Sequence, residues 1–388
     1  MRAVAIVGAS LAGWRAAQEL RAQGFEGRIE LIGEETHRPY DRPPLSKDFL
    51  SGGLGAKDLA LAEETDLAEV AATWRLGRRA VALAPSDGVI ELDDSTRCQA
   101  DGVVIATGAT PKTLPAIPPG VHTLRTLDDA LALRDDLRPG AKAVIVGAGF
   151  VGAEVASTCR NLGLDVTVVE ALEVPLAPVV GPKLGAVCAA LHADHGVRLL
   201  CGTGVERLHG EQRVTAVELT DGTVLPADVV VVGIGARPNT DWLHGSGLTV
   251  SNGVQCDAGG VTDLPNVVAV GDVASYRTPN GAQRFEHWTT AMEQPATAVR
   301  NLLAGRTTAN FTSVPYFWSE QYGVRIQFAG HARPTDRIAI VDGAPDDRRF
   351  VATFHREDET TGVLAMNNPK LFTKHRRQLI AKPTAPVS

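Results

Sequence analysis

The feature that most restricts the fold of this chain is a short motif that occurs twice. Arg2 to Gly13 reads RAVAIVGASLAG and Lys142 to Gly152 reads KAVIVGAGFVG, each an apolar run that meets a glycine turn and opens a helical stretch. Each helical stretch is followed by a second strand that closes in acid: Arg28 to Glu35 (RIELIGEE) after the first copy, Asp165 to Glu170 (DVTVVE) after the second. Strand, glycine turn, helix and strand make a βαβ unit. Two such units predict parallel sheets covered on both faces, with ligands at the carboxyl ends of the strands. At 388 residues the chain has room for two or three domains, each with its own core.

The spacing inside the two turns carries chemistry. In Gly8-x-Ser10-x-x-Gly13 and Gly147-x-Gly149-x-x-Gly152 the first glycine permits the turn, the second lets backbone approach a phosphate, and the third lets helix and strand pack. The helix amino end then receives a pyrophosphate on its unpaired N–H groups. Ser10 replaces the middle glycine of the first copy and offers a hydroxyl to the phosphate in compensation. An acid at the end of the second strand accepts a ribose hydroxyl and repels a 2′-phosphate. Glu170, followed by Ala171 and Leu172 with no arginine nearby, therefore predicts NADH in preference to NADPH. Two dinucleotide sites suit one flavin and one nicotinamide nucleotide, and spacing alone leaves open which turn holds which.

Further strands are expected at Asp101 to Gly108 (DGVVIATG), Asp228 to Gly235 (DVVVVGIG) and Val267 to Asp272 (VVAVGD). The proline-rich stretch from Pro111 to Pro119 marks a crossing between domains. From about Phe311 short alternating runs such as Arg325 to Gly330 and Arg337 to Val341 predict a smaller mixed domain with antiparallel strands.

Composition removes several classes of function. A net charge of -7 argues against nucleic-acid binding, which needs a cationic face. No run approaches the roughly 18 uncharged apolar residues of a membrane span, and the apolar start at Ala3 is broken by Gly8 too early for a secretory signal. The expectation is a cytoplasmic protein with no membrane partner. The five cysteines (Cys98, Cys159, Cys188, Cys201, Cys256) are odd in number and contain no close pair, so they read as packing residues, with no disulfide framework or metal cage.

Between Arg38 and Lys47 the sequence reads RPYDRPPLSK, and with this segment the chain resembles the FAD-dependent ferredoxin reductases that serve bacterial monooxygenases and dioxygenases. The same framework occurs in rubredoxin reductases and apoptosis-inducing factor. The resemblance covers essentially the whole chain. It implies an α/β fold with two Rossmann-like nucleotide-binding domains of glutathione-reductase type plus a small α+β C-terminal domain. The FAD domain would be discontinuous, residues 1–110 and 236–310, with the NADH domain at 111–235 and the C-terminal domain at 311–388.

The resemblance also implies roles. The first turn would hold FAD through Gly8, Ser10, Leu11, Ala12 and Gly13, helped by Glu34, Glu35 and Val81, with Arg42 and Lys47 as the arginine and lysine that contact the flavin nucleotide. Ala106-Thr107-Gly108 resembles the link near the flavin, and the Asp272 carboxylate would receive a ribityl hydroxyl. Glu286-His287-Trp288 and Phe317-Trp318-Ser319 resemble two segments that border the isoalloxazine ring, with Trp288 and Trp318 shielding it or aiding charge transfer. The second turn would hold NADH through Gly147, Gly149, Phe150, Val151, Gly152, Glu170 and Gly235. Lys47 and Glu154 would face the place where nicotinamide and flavin meet, because hydride transfer needs the two rings in close register.

An absence bears on the acceptor. Disulfide reductases of this architecture carry a redox cysteine on the early helix beside the flavin, and the corresponding stretch here, Arg42 to Leu50 (RPPLSKDFL), has none. Electrons should therefore leave directly from the flavin, which suits a 2Fe-2S ferredoxin as a one-electron acceptor. Lys370 to Lys382 (KLFTKHRRQLIAK) carries Lys370, Lys374, Arg376, Arg377 and Lys382 and no acid. Either it steers an acidic ferredoxin or it is the solvated face of a terminal helix. Two further readings share the fold: an NADH oxidase or quinone-type reductase that gives electrons to oxygen or a small molecule, and a non-enzymatic, NADH-switched partner as in apoptosis-inducing factor.

Overall fold

The computed structural model describes residues 1–115, 117–278 and 281–381. Its helices, in chain order, are α1 (Leu11–Ala22), α2 (Glu64–Val70), α3 (Leu127–Asp136), α4 (Phe150–Asn161), α5 (Ala177–Asp194), α6 (Trp288–Ala304) and α7 (Pro369–Ala381).

The first copy of the motif builds a five-stranded parallel sheet in the order Val267–Ala269, Gly102–Ile105, Ala3–Val7, Arg28–Gly33, Thr73–Leu76. Its central strand pairs on both sides, Val4 with Ile29 and with Gly102, and Val4 to Val7 are almost wholly buried. Burial on both faces explains why this strand reads as an unbroken apolar run. The chain leaves this sheet, builds a second, and returns to add Val267–Ala269 beside Gly102–Ile105. α1 lies against the sheet with small residues, Ala12, Gly13, Ala16 and Ala17, on its buried side, and α6 packs across it.

The second copy repeats the plan. Its sheet runs Arg198–Cys201, Asp165–Glu170, Lys142–Val146, Val229–Val232, Val121–His122, all parallel. Two short antiparallel strands, Ala109–Pro111 and Ala236–Pro238, bind the outgoing and returning crossings together. The expected strands are present but shorter: Asp101 to Gly108 is strand only over Gly102–Ile105, and Arg28 to Glu35 only over Arg28–Gly33, so Glu34 and Glu35 lie beyond the strand end.

From Tyr316 to Met366 five antiparallel strands form one sheet in the order Tyr316–Gln321, Val324–Gly330, Glu359–Met366, Arg349–Arg356, Arg337–Ala344, with α7 against one face through Phe372. The other face shares a core with the second nucleotide unit: Ile326, Phe328, Phe350 and Phe354 belong to the same apolar cluster as Val155, Cys159, Leu184 and Leu191. The fold is thus the α/β arrangement expected, two nucleotide-binding units and a small α+β unit packed on the second. Four of the five cysteines are buried and all five are free.

Candidate active site

Both glycine turns are set by contacts a side chain would destroy. A Cβ on Gly8, which has φ +118°, would lie 2.0 Å from the Ala106 carbonyl oxygen, and one on Gly13 would lie 1.8 Å from the carbonyl oxygen of Gly8. Gly147 and Gly152 repeat the pattern, at 2.3 Å from the Gly233 oxygen and 2.0 Å from the Gly147 oxygen. Gly149 differs, because nothing lies within 4 Å of the space its side chain would fill. α1 begins after Ser10 and α4 after Gly149, and neither helix has a side-chain cap. The first N–H groups of both helices are left for a ligand, and the helix dipole favours an anion there.

Two cavities open from these turns. The smaller, about 680 Å³, is lined by Gly8, Ser10, Glu34, Glu35, Arg42, Ala106, Thr107 and Gly108. The larger, about 710 Å³, runs from Ser10, Leu11 and Ala12 to Phe150, Val151 and Gly235 on the second unit. Ser10, Arg42, Ala106, Gly108 and Arg125 stand in the walls of both. Lys47, Glu154, Asp272, Glu286, His287, Trp288 and Trp318 also line the larger cavity. Among the described residues no cysteine lines either one.

The polar groups are held in place. Glu154 is 5 % exposed; its Oε2 accepts from Lys47 Nζ and Ser46 Oγ, each at 2.6 Å. Its Oε1 accepts from Ser319 Oγ at 2.7 Å and from the Glu320 amide at 3.2 Å. A solvated helical acid would have none of these partners. Asp272 sits in a one-turn 3-10 helix over Gly271–Val273, separate in sequence from α6, which starts at Trp288, and pairs with Arg125 at 2.7 Å. Burial works against the Arg125 charge, but Asp272 outweighs it and holds the guanidinium more firmly protonated. Trp288 donates its indole N–H to Asp41 Oδ1 at 2.7 Å, and burial of Asp41 raises its carboxyl above the usual range although Trp288 and Lys47 oppose this. Burial likewise lowers the His287 imidazole below its ordinary value, with Asp272 opposing. Arg42 bonds Ser10 Oγ at 3.2 Å and Glu35 at 2.6 Å, and Tyr40 donates its hydroxyl to the same carboxylate. In the second turn Glu170 accepts from the Ala148 amide at 2.8 Å and the Leu172 amide at 2.9 Å, so its carboxylate is fixed beside the start of α4.

Gly13, Gly147, Gly149, Gly152 and Glu170 stand behind the cavity walls, and Val81 is turned away from them. Val81 lines neither cavity; its side chain is 41 % exposed, and Ala80 lines the smaller cavity instead. Strand alternation turns successive side chains to opposite faces, so a shift of one residue reverses the role. Arg125, Asp41 and Ser46 belong to the site with no role expected for them, and Ser319, expected only within a segment bordering the ring, binds Glu154. Arg125 had a signal: it precedes a Thr126-x-x-Asp129 capping box, and the Asp129 carboxylate binds the amides of both Arg125 and Thr126.

The basic segment lies on α7. Lys370, Lys374 and Arg377 are exposed, whereas the Arg376 guanidinium stacks over the Tyr316 ring at 4.2 Å. Tyr316 in turn stacks with Trp318, and Trp318 meets Trp288 edge-on, both pairs at 5.9 Å between centroids. Lys382 lies outside the described residues.

Two uncapped dinucleotide turns that face one chamber, with a buried lysine–glutamate pair between them, define a flavin- and nicotinamide-dependent oxidoreductase. The sites fit FAD: the walls shared by the two cavities give an extended dinucleotide one continuous path, and Arg284 Nε and His287 Nδ1 beside it are buried without a protein partner.

Comparison with known proteins narrows the class. Residues 2–295 match the pyridine nucleotide-disulphide oxidoreductase family and residues 316–387 the reductase C-terminal family. Rhodocoxin reductase of Rhodococcus erythropolis is 37 % identical over 373 residues, 95 % of this chain and 87 % of the relative. The ferredoxin reductase component of chlorobenzene dioxygenase from Cupriavidus sp. (strain PS12) is 38 % identical over 384 residues, 98 % and 92 % of the two chains. The solved covalent putidaredoxin reductase–putidaredoxin complex superposes with a TM-score of 0.92 at 32 % identity, covering 97 % of this chain and 93 % of that one. The chain belongs to the pyridine nucleotide-disulphide oxidoreductase family, within the FAD- and NADH-using ferredoxin reductases of bacterial oxygenase systems. Among the described residues no helix is long and apolar enough to cross a membrane.

Proposed function

We propose that this chain is a cytoplasmic NADH-dependent ferredoxin reductase that feeds a 2Fe-2S ferredoxin, and through it an oxygenase. In this reading residues 1–110 and 236–310 hold FAD, 111–235 hold NADH, and 311–388 complete the chamber and present the ferredoxin surface. The observation that carries the reading is the placement of Lys47 and Glu154, 2.6 Å apart, in the wall of the chamber onto which both dinucleotide turns open.

When bound, the flavin accepts a hydride from NADH and gives up electrons singly to an iron–sulfur acceptor. The protein supplies position and field. The amides at the start of α1 and the Ser10 hydroxyl would hold the FAD diphosphate, with Arg42 bonded to Ser10 beside them. Asp272 accepts from the ribityl chain, and Glu286, His287, Trp288 and Trp318 enclose the ring, with Trp288 pinned by Asp41. The amides at the start of α4 bind NADH, and Glu170 takes the ribose hydroxyls. Lys47 would supply a positive charge beside a bound flavin, and Glu154 fixes that ammonium and would orient the nicotinamide. Phe150 and Phe317, with ring centroids 4.4 Å apart, form an apolar part of the chamber wall. Five free cysteines, four of them buried, agree with a reducing compartment.

The test is anaerobic reduction of the FAD-loaded protein by NADH, followed by addition of candidate ferredoxins and cytochrome c. Flavin reoxidation coupled to cytochrome reduction only with a ferredoxin is expected. Fast oxygen consumption without ferredoxin stimulation would assign the oxidase or quinone-type reading instead.

A further inference from the structure

Five cationic side chains line the larger cavity: Arg42, Lys47, Lys112, Arg125 and Arg284. Four of them are spoken for, by Glu35, Glu154, Asp272 and Glu286 respectively. Lys112 is exposed at the cavity wall and, among the described residues, has no acid within ion-pair distance and no side-chain hydrogen bond. A cation held in a chamber without a counter-charge is available to an anionic ligand.

Its position follows from a run of backbone bonds that starts at the second glycine turn. Val146, the last strand residue before that turn, pairs with Val232, and its carbonyl accepts from the Gly233 amide at 2.7 Å. Two residues on, the Gly235 carbonyl accepts from the Lys112 amide at 2.9 Å, and Pro111 pairs with Ala236. Lys112 is therefore fastened to the wall of the cavity that Phe150 and Val151 at the start of α4 also line, outside the carboxyl ends of the central strands, where open parallel sheets bind their ligands. Two glycines beside this wall leave room for a ligand: no atom lies within 4 Å of a Cβ placed on Gly149 or on Gly235.

The duplication of the unit sharpens the point. At the first turn a cation is already present, since Arg42 bonds Ser10 at the start of α1. At the second turn the first residues of α4 carry no charge and Gly149 carries no side chain, so backbone amides stand alone against a doubly charged diphosphate. We propose that Lys112 is the cation of the second site and that it binds the diphosphate of NADH, a binding residue distinct from the Lys47–Glu154 pair. The inference rests on the assignment of NADH to the second turn.

Ligand-observed NMR titration of the FAD-loaded protein with NAD+ and with ADP-ribose, which keeps the diphosphate and lacks the nicotinamide, tests it. In Lys112→Gln both dissociation constants should rise about three- to fivefold, the upper size of one charge-assisted contact at an exposed site. The difference should shrink at high salt, and Lys112→Arg should stay within about twofold of the parent. In stopped flow the NADH concentration for half-maximal flavin reduction should rise while the limiting rate constant holds, because a contact made equally before and during hydride transfer changes binding alone. Unchanged constants in Lys112→Gln, or a loss for NAD+ with none for ADP-ribose, would overturn the assignment. A parent protein that binds neither ligand would instead strike the NADH reading on which it depends.

Discussion

Lys47 and Glu154 meet at 2.6 Å across the boundary where the segment after the first nucleotide unit touches α4 of the second. The other oxygen of Glu154 is bound by Ser319 and Glu320 from the C-terminal sheet, so one carboxylate ties three parts of the chain together at the chamber. α4 extends the tie with Thr158, whose hydroxyl donates to the Ser46 carbonyl at 2.7 Å, and Ser157, whose hydroxyl accepts from the Tyr322 amide at 2.7 Å.

Removing that carboxylate should be felt twice. Glu154→Ala leaves Lys47, which is 16 % exposed, without its counter-charge and strands two hydroxyls, for a loss of about 3 kcal/mol in stability. It should also slow flavin reduction by NADH in anaerobic stopped flow. Glu154→Gln keeps the shape but not the charge, so it should recover part of the stability with reduction still slow. A rate constant equal to the parent's in both variants would remove Glu154 from the hydride step.

Nucleotide choice should follow Glu170. Its carboxylate is held by the amides of Ala148 and Leu172, so it cannot swing away from a 2′-phosphate without giving up both bonds. Steady-state kcat/KM should favour NADH over NADPH by about tenfold or more, a difference of roughly 1.4 kcal/mol. Glu170→Ala should narrow the ratio while also loosening the turn. Equal efficiency with both nucleotides in the parent protein would contradict the preference.

Much of the architecture was legible because its signals are local. Gly8, Gly13, Gly147 and Gly152 each abut a backbone oxygen at distances no Cβ tolerates, so the demand for glycine is written at fixed spacing. The buried parallel strands announce themselves as runs of valine and isoleucine. The site was legible only in part, since its partners come from far apart in the chain: Ser46 and Ser319 reach Glu154 from 108 and 165 residues away. A hydroxyl on a one-turn helix or on an edge strand has no periodicity to mark it. Val81 shows the complementary limit: it lies on the strand Ala80–Ala84, where Ala80 lines the cavity and its neighbour turns away, so facing depends on a register of one residue.

Acid should destabilise the junction between the second unit and the C-terminal sheet. His192 is 2 % exposed with Nδ1 2.8 Å from the Tyr322 hydroxyl, and burial pushes its imidazole down to about 4. An unfolded histidine titrates near 6.5. Between those values the unfolded chain holds a proton that the folded chain does not, so the contribution is complete above about 6.5 and is lost as pH falls toward 4, by roughly 3 kcal/mol in all. Urea unfolding at pH 7.5 and 5.0 should show the drop, and His192→Gln should remove most of it. His287 and His331 shift in the same direction and account for a remaining slope. An undiminished slope in the variant would clear His192.

The basic helix makes a prediction that separates neighbouring residues. Lys374 and Arg377 face solvent, so their charge can act on an approaching acidic partner, while Arg376 lies over Tyr316 and serves packing as well as charge. Lys374→Glu with Arg377→Glu should lower kcat/KM for ferredoxin about tenfold at low salt and flatten its dependence on ionic strength, with NADH reduction of the flavin unchanged. Arg376→Ala should instead cost about 1 kcal/mol of stability through the lost stacking. It should also disturb Tyr316, which stacks on Trp318 in the cavity wall, and so alter the flavin environment seen in the absorbance spectrum. If the double charge reversal left both the ferredoxin rate and its salt dependence at parent values, α7 would be the solvated face of a terminal helix, and the partner would have to dock elsewhere.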